Sequence, residues 1–379
     1  MCSPNKDKIM GKMQAARLHN VGPTFVIDEI DIPAIGPTDV LVHVKACNVV
    51  PNLRNVIERY PEWFPYLPLP KLPAIYGLDA SGVVKAVGSQ VHSVKPGDRV
   101  YVNPGRSCGS CHACLRGQHL NCTAFTFQGY FGFGAGSQRV FEDYPYGGFC
   151  EFMTAPVSGL VKLPESISFE QGCRFGYLGT AYSALRKANV GSGQTVLING
   201  ASGTLGVGAV MLALAMGATK VLGMARNREL LERVRQLDPS RVHVLSLGER
   251  PIDEWVREHT QGLGADVFID AVGPGAPHQI TVDGIKSLRR GGRMVDIGGM
   301  SEDLPVPMFQ LMCYQISIIG SLWFTVAEGQ DMAEMAAAGT LDLTKFDQEV
   351  FPLSEVNDAL DALENRKGGF TNVVVTPGH

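Results

Sequence analysis

The chain opens without an apolar run. MCSPNKDKIMGKM carries lysines where a secretory leader needs a hydrophobic stretch, so export is not expected. No segment has the length that crosses a bilayer; apolar stretches such as Val207 to Met216 are too short, so no membrane partner is expected. Charge is scarce in excess: the net value of −4 leaves no broad basic surface and argues against a nucleic-acid partner. Internal repeats, low-complexity tracts and a disordered bias are also missing. What remains is 379 residues, 45% of them hydrophobic, enough for about two domains with large cores.

Cysteine is present and unevenly placed. Four of the nine, Cys108, Cys111, Cys114 and Cys122, lie in CGSCHACLRGQHLNC with the spacing C-x2-C-x2-C-x7-C. Four thiolates this close can surround one tetrahedral ion and leave no open position, the pattern of a structural zinc. Disulfides are a poor alternative, because neighbours two residues apart bridge only at special redox sites. A zinc-type cluster also points to a reducing compartment, and a cytoplasmic protein is expected.

The first third is strand-like and broken by Gly and Pro: VLVHVKACNVV, the proline-rich EWFPYLPLPKLP, SGVVKAVG, then SVKPGDRVYV. From Gln194 the pattern alternates strand and helix through QTVLING, TLGVGAVMLALAMG, TKVLGMA and RNRELLERVRQL, then ADVFIDAVG, GGRMVDIGG and QISIIGSLWF. Such alternation predicts a parallel sheet with helices on both faces. The tail returns to a helix, SEVNDALDALENR, and the strand NVVVTP. GASGTLG, residues 200–206, follows a strand and opens a helix, the setting in which small residues admit a pyrophosphate to a helix N-terminus. Ala201, Ser202, Gly203, Thr204, Leu205 and Gly206 are the predicted contacts. The next strand ends at Ala225 and is followed by Arg226, where an NAD site carries an acid for the ribose 2′-OH. An arginine there favours the 2′-phosphate of NADP(H).

With both motifs in place, the chain resembles the medium-chain dehydrogenase/reductase superfamily, in particular its zinc-containing alcohol dehydrogenases. SGVVKAVG, VKPGDRV, the cysteine lobe, GGFCEF, GTAYSAL, GASGTLG, GADVFIDAVG and LRRGGRMVDIGG carry the resemblance over nearly the whole length. It implies an α/β protein: a GroES-like β-barrel catalytic domain at residues 1–176 and 323–379, with the zinc lobe at about 105–123, and a Rossmann doubly wound parallel-sheet domain at 177–322. The active site is expected in the cleft between them. It also implies a catalytic zinc on a cysteine, a histidine and a second cysteine. Those positions hold Val50, Leu78 and Gly176, whose side chains have no ligand atoms. A shifted site on Cys47, Cys173 and Asp79 is the rival; an odd offset along the strand is expected to point Cys47 away from Val50.

Without that zinc, alcohol oxidation loses its route to an alkoxide, whereas hydride addition to an unsaturated carbonyl needs only donors for an enolate. The reading is an NADPH-dependent reductase of an activated C=C bond or a carbonyl, with no catalytic zinc. Its alternatives are a zinc alcohol dehydrogenase with a rearranged site and a non-catalytic NADPH-binding protein. Asn52 stands where the zinc enzymes place a substrate-binding hydroxyl, Tyr177 is the candidate proton donor, and Asp79 replaces a Glu beside the metal and is a candidate partner for Arg54. The resemblance further places Thr180 on the nicotinamide, the backbone of Ile297, Ser321 and Trp323 on its carboxamide, and Asn372 near the diphosphate. The aromatic stretches YPEWFPYLPLPKLP and FTFQGYFGFGAG imply a small hydrophobic or aromatic substrate. A homodimer or homotetramer paired around Leu311 to Ile319 is the family expectation.

Overall fold

The structure, a computed structural model, describes residues 11–22, 24–300, 302–365 and 368–378. The first ten residues, on which the expectation about export rests, lie outside the described residues. The chain divides into two compact units, Met1–Phe175 with Gln348–Arg366 and Asn372–His379, and Gly176–Asp347 with Lys367–Thr371.

The first unit begins with strands β1 (Lys12–Leu18), β2 (Val26–Asp31) and β3 (Asp39–Asn48), then helices α1 (Leu53–Glu58) and α2 (Tyr60–Trp63). Strands β4 (Ala74–Ile75), β5 (Asp79–Val87), β6 (Arg99–Val102), β7 (Gly105–Arg106) and β8 (Thr126–Phe127) follow. Helix α3 (Ser137–Asp143), strands β9 (Phe152–Pro156) and β10 (Leu160–Lys162), and helix α4 (Phe169–Gly172) complete this stretch. β3 is its axis. Val40, Leu41, Val42, Val44, Ala46 and Cys47 are all buried, so the strand reads as a nearly continuous apolar run. β5 pairs with it antiparallel from Val40↔Val87 to Asn48↔Asp79, slipping register between Leu41 and Val42 and again between Val44 and Ala46. Because β3 ends at Asn48, the strand-parity rule that separated Cys47 from Val50 does not reach Val50. The Cys47 sulfur instead fills the space left by Gly77 and Gly148, where an added Cβ would stand 3.0 and 2.6 Å from it.

The second unit alternates as its sequence predicts. After α5 (Phe175–Lys187) come β11 (Thr195–Asn199), α6 (Thr204–Ala215), β12 (Lys220–Ala225), α7 (Arg228–Arg235), β13 (Val242–Ser246) and α8 (Ile252–His259). Then follow β14 (Ala265–Asp270), α9 (His278–Lys286), β15 (Leu288–Asp296), α10 (Met308–Tyr314), β16 (Ser317–Gly320) and α11 (Val326–Ala337). The strand order is β13-β12-β11-β14-β15-β16 and every pairing is parallel. The order reverses beside β11, the switch point at whose C-terminal end such sheets hold ligands. Leu197, Leu222, Phe268, Met294 and Trp255 form part of the core.

The second unit runs to Asp347, past the boundary at 322 expected from sequence. The reason is packing: Asp331 of α11 takes Arg186 at 2.8 Å and Tyr182 at 3.3 Å, both on α5. Phe324 lies flush on Gly179, where a Cβ would come within 2.3 Å of the ring. The chain then re-enters the first unit through β17 (Asp347–Pro352), α12 (Val356–Glu364) and β18 (Thr371–Thr376). β18 pairs with β3 through Val374↔Asn48 and Val375↔Cys47, giving the order β10-β6-β5-β3-β18-β17 with β9 also on β3. No helix among the described residues is long and apolar enough to cross a membrane.

Candidate functional site

Cys108, Cys111, Cys114 and Cys122 hold their sulfurs within 4.8 Å of one another. The lobe is mostly turns, with single 3-10 turns at Cys114–Arg116 and His119–Asn121, and Gly109 and Gly117 at φ +74° let the chain double back. Backbone N–H groups point at the sulfurs: Cys108 and Ala124 both donate to Cys122 Sγ at 3.3 Å. The N–H groups of Cys114 and Thr123 pull the Cys111 thiol down to about 6. Burial pushes Cys122 up to about 12 against its two N–H donors, a penalty that a cation at the centre would reverse. Four sulfurs, gathered and bound by amides, fit one zinc. Among the described residues no other three His, Cys, Asp or Glu hold their ligand atoms as close together as these four.

At the C-terminal end of β11 the chain turns through Gly200, at φ +75°, and the N–H groups of Gly200 and Ala201 both bind Met224 O. Gly206 has no room for a side chain, since a Cβ would fall 2.1 Å from Gly200 O. Gly203 precedes α6 in extended conformation, and the first turn beyond it presents N–H groups that no helix can satisfy internally. Ser202 O takes the N–H of Gly369 at 2.8 Å, which closes the loop from behind. This is a cradle of the dinucleotide type, and the residues fit the group.

Arg226 follows β12, exposed, and among the described residues its guanidinium has no ion pair and no hydrogen bond. Its carbonyl takes the Ser246 hydroxyl at 3.3 Å, and beside it lies a cavity of about 230 Å³ lined by Arg228, Leu231, Glu232, Val244, Ser246 and Glu249. Arg228 is neutralised by Glu249. A cavity of the same volume in the first unit, between Arg17, Lys71, Phe141 and Tyr146, contains none of the predicted site residues.

The other predicted residues divide. Asn52 precedes α1 but does not cap it; its amide donates to Tyr60 Oη at 2.7 Å and accepts from Asn55 at 3.0 Å. Asp79 is fully enclosed at the start of β5. One oxygen accepts the Tyr101 hydroxyl at 2.6 Å, the other has no donor, and burial pushes the carboxyl up to about 7. Arg54 does not serve it, being committed to Asp361 and Glu364 at 2.7 and 2.8 Å. Asn372, expected near a diphosphate, is enclosed as well, donating to Glu170 O and Gln348 Oε1 at 2.8 Å and accepting from Asn48. In the second unit Thr180 is buried and returns its hydroxyl to Gly176 O at 2.9 Å. The N–H groups of Ile297 and Ser321 are taken by Asp270 O and Asp296 O, both at 3.0 Å. Trp323 is buried against Phe324, and Tyr177 stands half-buried in the first turn of α5. Sequence reasoning passed over Tyr60 and Tyr101, whose partners are set by packing and not by spacing.

A parallel nucleotide-type sheet, a β-rich unit around β3 and a tetrathiolate lobe together define a two-domain nicotinamide dehydrogenase. The alcohol dehydrogenase GroES-like domain family matches residues 36–165 and the zinc-binding dehydrogenase family residues 204–338. An alcohol dehydrogenase of Geobacillus stearothermophilus is 32% identical over 93% of this chain and 96% of its own length. L-idonate 5-dehydrogenase of Vitis vinifera is 27% identical over 78% of this chain and 76% of its own. Among solved structures, AibC superposes with TM-score 0.82 at 28% identity, covering 100% of this chain and 99% of that one. An NAD-dependent alcohol dehydrogenase does so with TM-score 0.80 at 27% identity, covering 97% and 100%. The chain belongs to the medium-chain dehydrogenase/reductase superfamily, among the NAD(P)-dependent zinc-binding dehydrogenases.

Proposed function

We propose that the protein is an NADP(H)-dependent reductase of an activated carbon–carbon double bond, working without a catalytic zinc. The observation that carries this is the triple loss at Val50, Leu78 and Gly176 beside an intact dinucleotide loop and an intact four-cysteine lobe. Three side chains without ligand atoms, beside a loop and a lobe that keep theirs, favour a reaction that does not pass through a metal-bound alkoxide. A bound nicotinamide would supply hydride. The chain supplies the rest: the Asn52 amide as donor to a substrate oxygen that gains negative charge, the N-terminus of α6 as diphosphate seat, and the free guanidinium of Arg226 as partner for a 2′-phosphate. Cys108, Cys111, Cys114 and Cys122 hold a structural zinc, which fits a reducing, cytoplasmic setting. Alcohol and polyol dehydrogenase names among the relatives keep the rearranged-metal reading as the alternative outcome.

Zinc per chain, measured on protein purified without added metal, is paired with NADPH oxidation on cinnamaldehyde and cyclohexenone. About one zinc with turnover of either probe supports the proposal. About two zincs with alcohol oxidation overturns it, and silence on every probe with tight NADPH binding turns the protein into a non-catalytic binder.

A further inference from the structure

The cavity of about 230 Å³ in the first unit is built on a row of neighbouring strand residues. Arg17 of β1 pairs with Ile75 of β4, and Ile75 in turn bridges Tyr146, so the three stand side by side. β2 adds Ile30, α3 adds Gln138 and Phe141, and the loop before β4 adds Pro70 and Pro73. Tyr146 is fixed from behind, because its carbonyl takes the Gln128 amide at 2.7 Å.

Three half-buried side chains reach this cavity with hydrogen-bonding capacity left over. Arg17 bonds through Nη1 alone, to Asp28 Oδ2 at 3.1 Å, which leaves Nε and Nη2 without an acceptor among the described residues. The same Asp28 oxygen also takes His19 Nε2 at 2.7 Å, so one carboxylate oxygen serves two side chains. Among the described residues the Tyr146 hydroxyl and the Gln138 amide have no hydrogen bond. Burial is the largest influence on the Tyr146 phenol and raises it, so the hydroxyl keeps its proton at neutral pH. The Arg17 charge acts against burial, which puts the two donors within each other's field. Lys71 is already taken, by Glu142 at 3.4 Å.

This chemistry selects a ligand. A guanidinium with an unbonded edge takes a carboxylate through two parallel hydrogen bonds, and an uncharged molecule would leave its charge unanswered. With Lys71 engaged there is no free cation for a second negative charge, so a monoanion fits better than a dianion. Ile30, Pro70, Pro73 and Phe141 offer no polar side-chain atoms, so the rest of the ligand is apolar. Drug-sized ligands fill about 300–1,000 Å³, so this smaller cavity takes a molecule of about ten non-hydrogen atoms. We propose that the cavity binds a small monocarboxylic acid. Its carboxylate lies on Arg17 and the Tyr146 hydroxyl, the Gln138 amide completes the seat, and the apolar body rests on Pro73 and Phe141. All of these residues lie in one compact unit, and the site does not depend on which reaction the protein catalyses.

Benzoate binding to the purified full chain is followed by ligand-observed NMR. Benzyl alcohol serves as the uncharged match, and inorganic phosphate as the anion without an apolar body. Benzoate is expected to bind with a Kd on the order of 1 mM or tighter. Benzyl alcohol and phosphate should bind at least about 10-fold more weakly. Arg17→Met keeps an apolar stem and removes the charge, and should weaken benzoate by about 10- to 100-fold. Tyr146→Phe removes only the hydroxyl and should weaken it by about 3- to 30-fold. Gln138→Trp leaves the Arg17–Asp28 pair untouched and fills the cavity from α3, so it tests the site even where Arg17→Met fails to fold. It should abolish saturable binding. Benzoate binding that persists in Gln138→Trp or in folded Arg17→Met overturns the assignment. So does benzyl alcohol or phosphate as tight as benzoate, or no saturable benzoate binding up to about 10 mM.

Discussion

Asp79 has one carboxylate oxygen on the Tyr101 hydroxyl and the other facing no donor, inside a sheet that excludes water. Arg174 alongside offsets only part of the cost of charging it, and the carboxyl sits at about 7 against an ordinary 3.8. The folded state therefore binds a proton that the unfolded chain has released, and stability falls as pH rises from about 4 to about 7. Asp79→Asn keeps an oxygen for Tyr101 and removes the charge. Its unfolding free energy is expected to exceed that of wild type near pH 8 by at most about 4 kcal/mol, seen as a higher thermal midpoint, and to show little gain near pH 4. A gain of equal size at both pH values would show that charge is not the cause. Arg226 poses the opposite case, an exposed cation with no anion of its own among the described residues. Removing a charged partner from a phosphate costs about 1.5–3 kcal/mol, so Arg226→Ala is expected to raise KM for NADPH by about 10- to 100-fold. KM for NADH should hardly move. An equal change for both cofactors would place the arginine outside the 2′-phosphate site.

Two elements carry their own tests. β13 and the end of α8 bring the His243 and His259 rings into a stack 4.5 Å apart, with Trp255 edge-on to His259 and Lys220 donating to His259 O. Burial comes first for both imidazoles; Lys220 then lowers His243, and the His243 ring followed by Lys220 lowers His259, so both lie below 6.5. The unfolded chain takes up protons there that the fold resists, so this stabilisation is present above about pH 6.5 and lost below it. His259→Gln is expected to flatten the decline in urea midpoint between about pH 8 and pH 5; an unchanged slope assigns the decline elsewhere. The tetrathiolate lobe is expected to behave as a metal-dependent element. Cys122→Ala should lose the zinc and open residues 105–123 to protease, while β3 and its partners stay protected. Protection of the lobe without zinc would mean that packing, not metal, holds it. The lobe was legible from spacing alone, and so were the βαβ alternation and the loop at Gly200, because each is a local pattern with a fixed period. The pairings Asn52–Tyr60, Asp79–Tyr101 and Asn372–Glu170 were not. They depend on which side chains meet across a sheet or a turn, and spacing carries no record of that.

At the scale of the whole molecule, the parallel sheet ends in an uncovered strand. β16 is its edge, and Met308, Phe309, Met312, Ile318 and Leu322 on and around it are exposed. A bare apolar edge is a hazard unless something covers it, and a second copy of this chain is the proposed cover. Light scattering should return at least twice the 40.8 kDa of one chain, and Ile318→Lys should return one. A single-chain mass in the unaltered protein removes the proposal. The compact unit extends beyond residue 322 for a related reason. Composition marks where strands stop alternating, but α11 joins the second unit through Asp331 and through Phe324 on Gly179, contacts that hydropathy does not display. β18 has the larger consequence. Val374 and Val375 fill the flank of β3, so the first sheet is closed by residues near the far end of the chain. A ribosome releases all of Gly176–Asp347 before it releases that strand. The nucleotide sheet has its full complement of strands while β3, covered by β9 from Asp39 to His43, still lacks a partner at Cys47 and Asn48. That interval during synthesis is when a chaperone, or the neighbouring nascent chain on the same message, has an edge to seize.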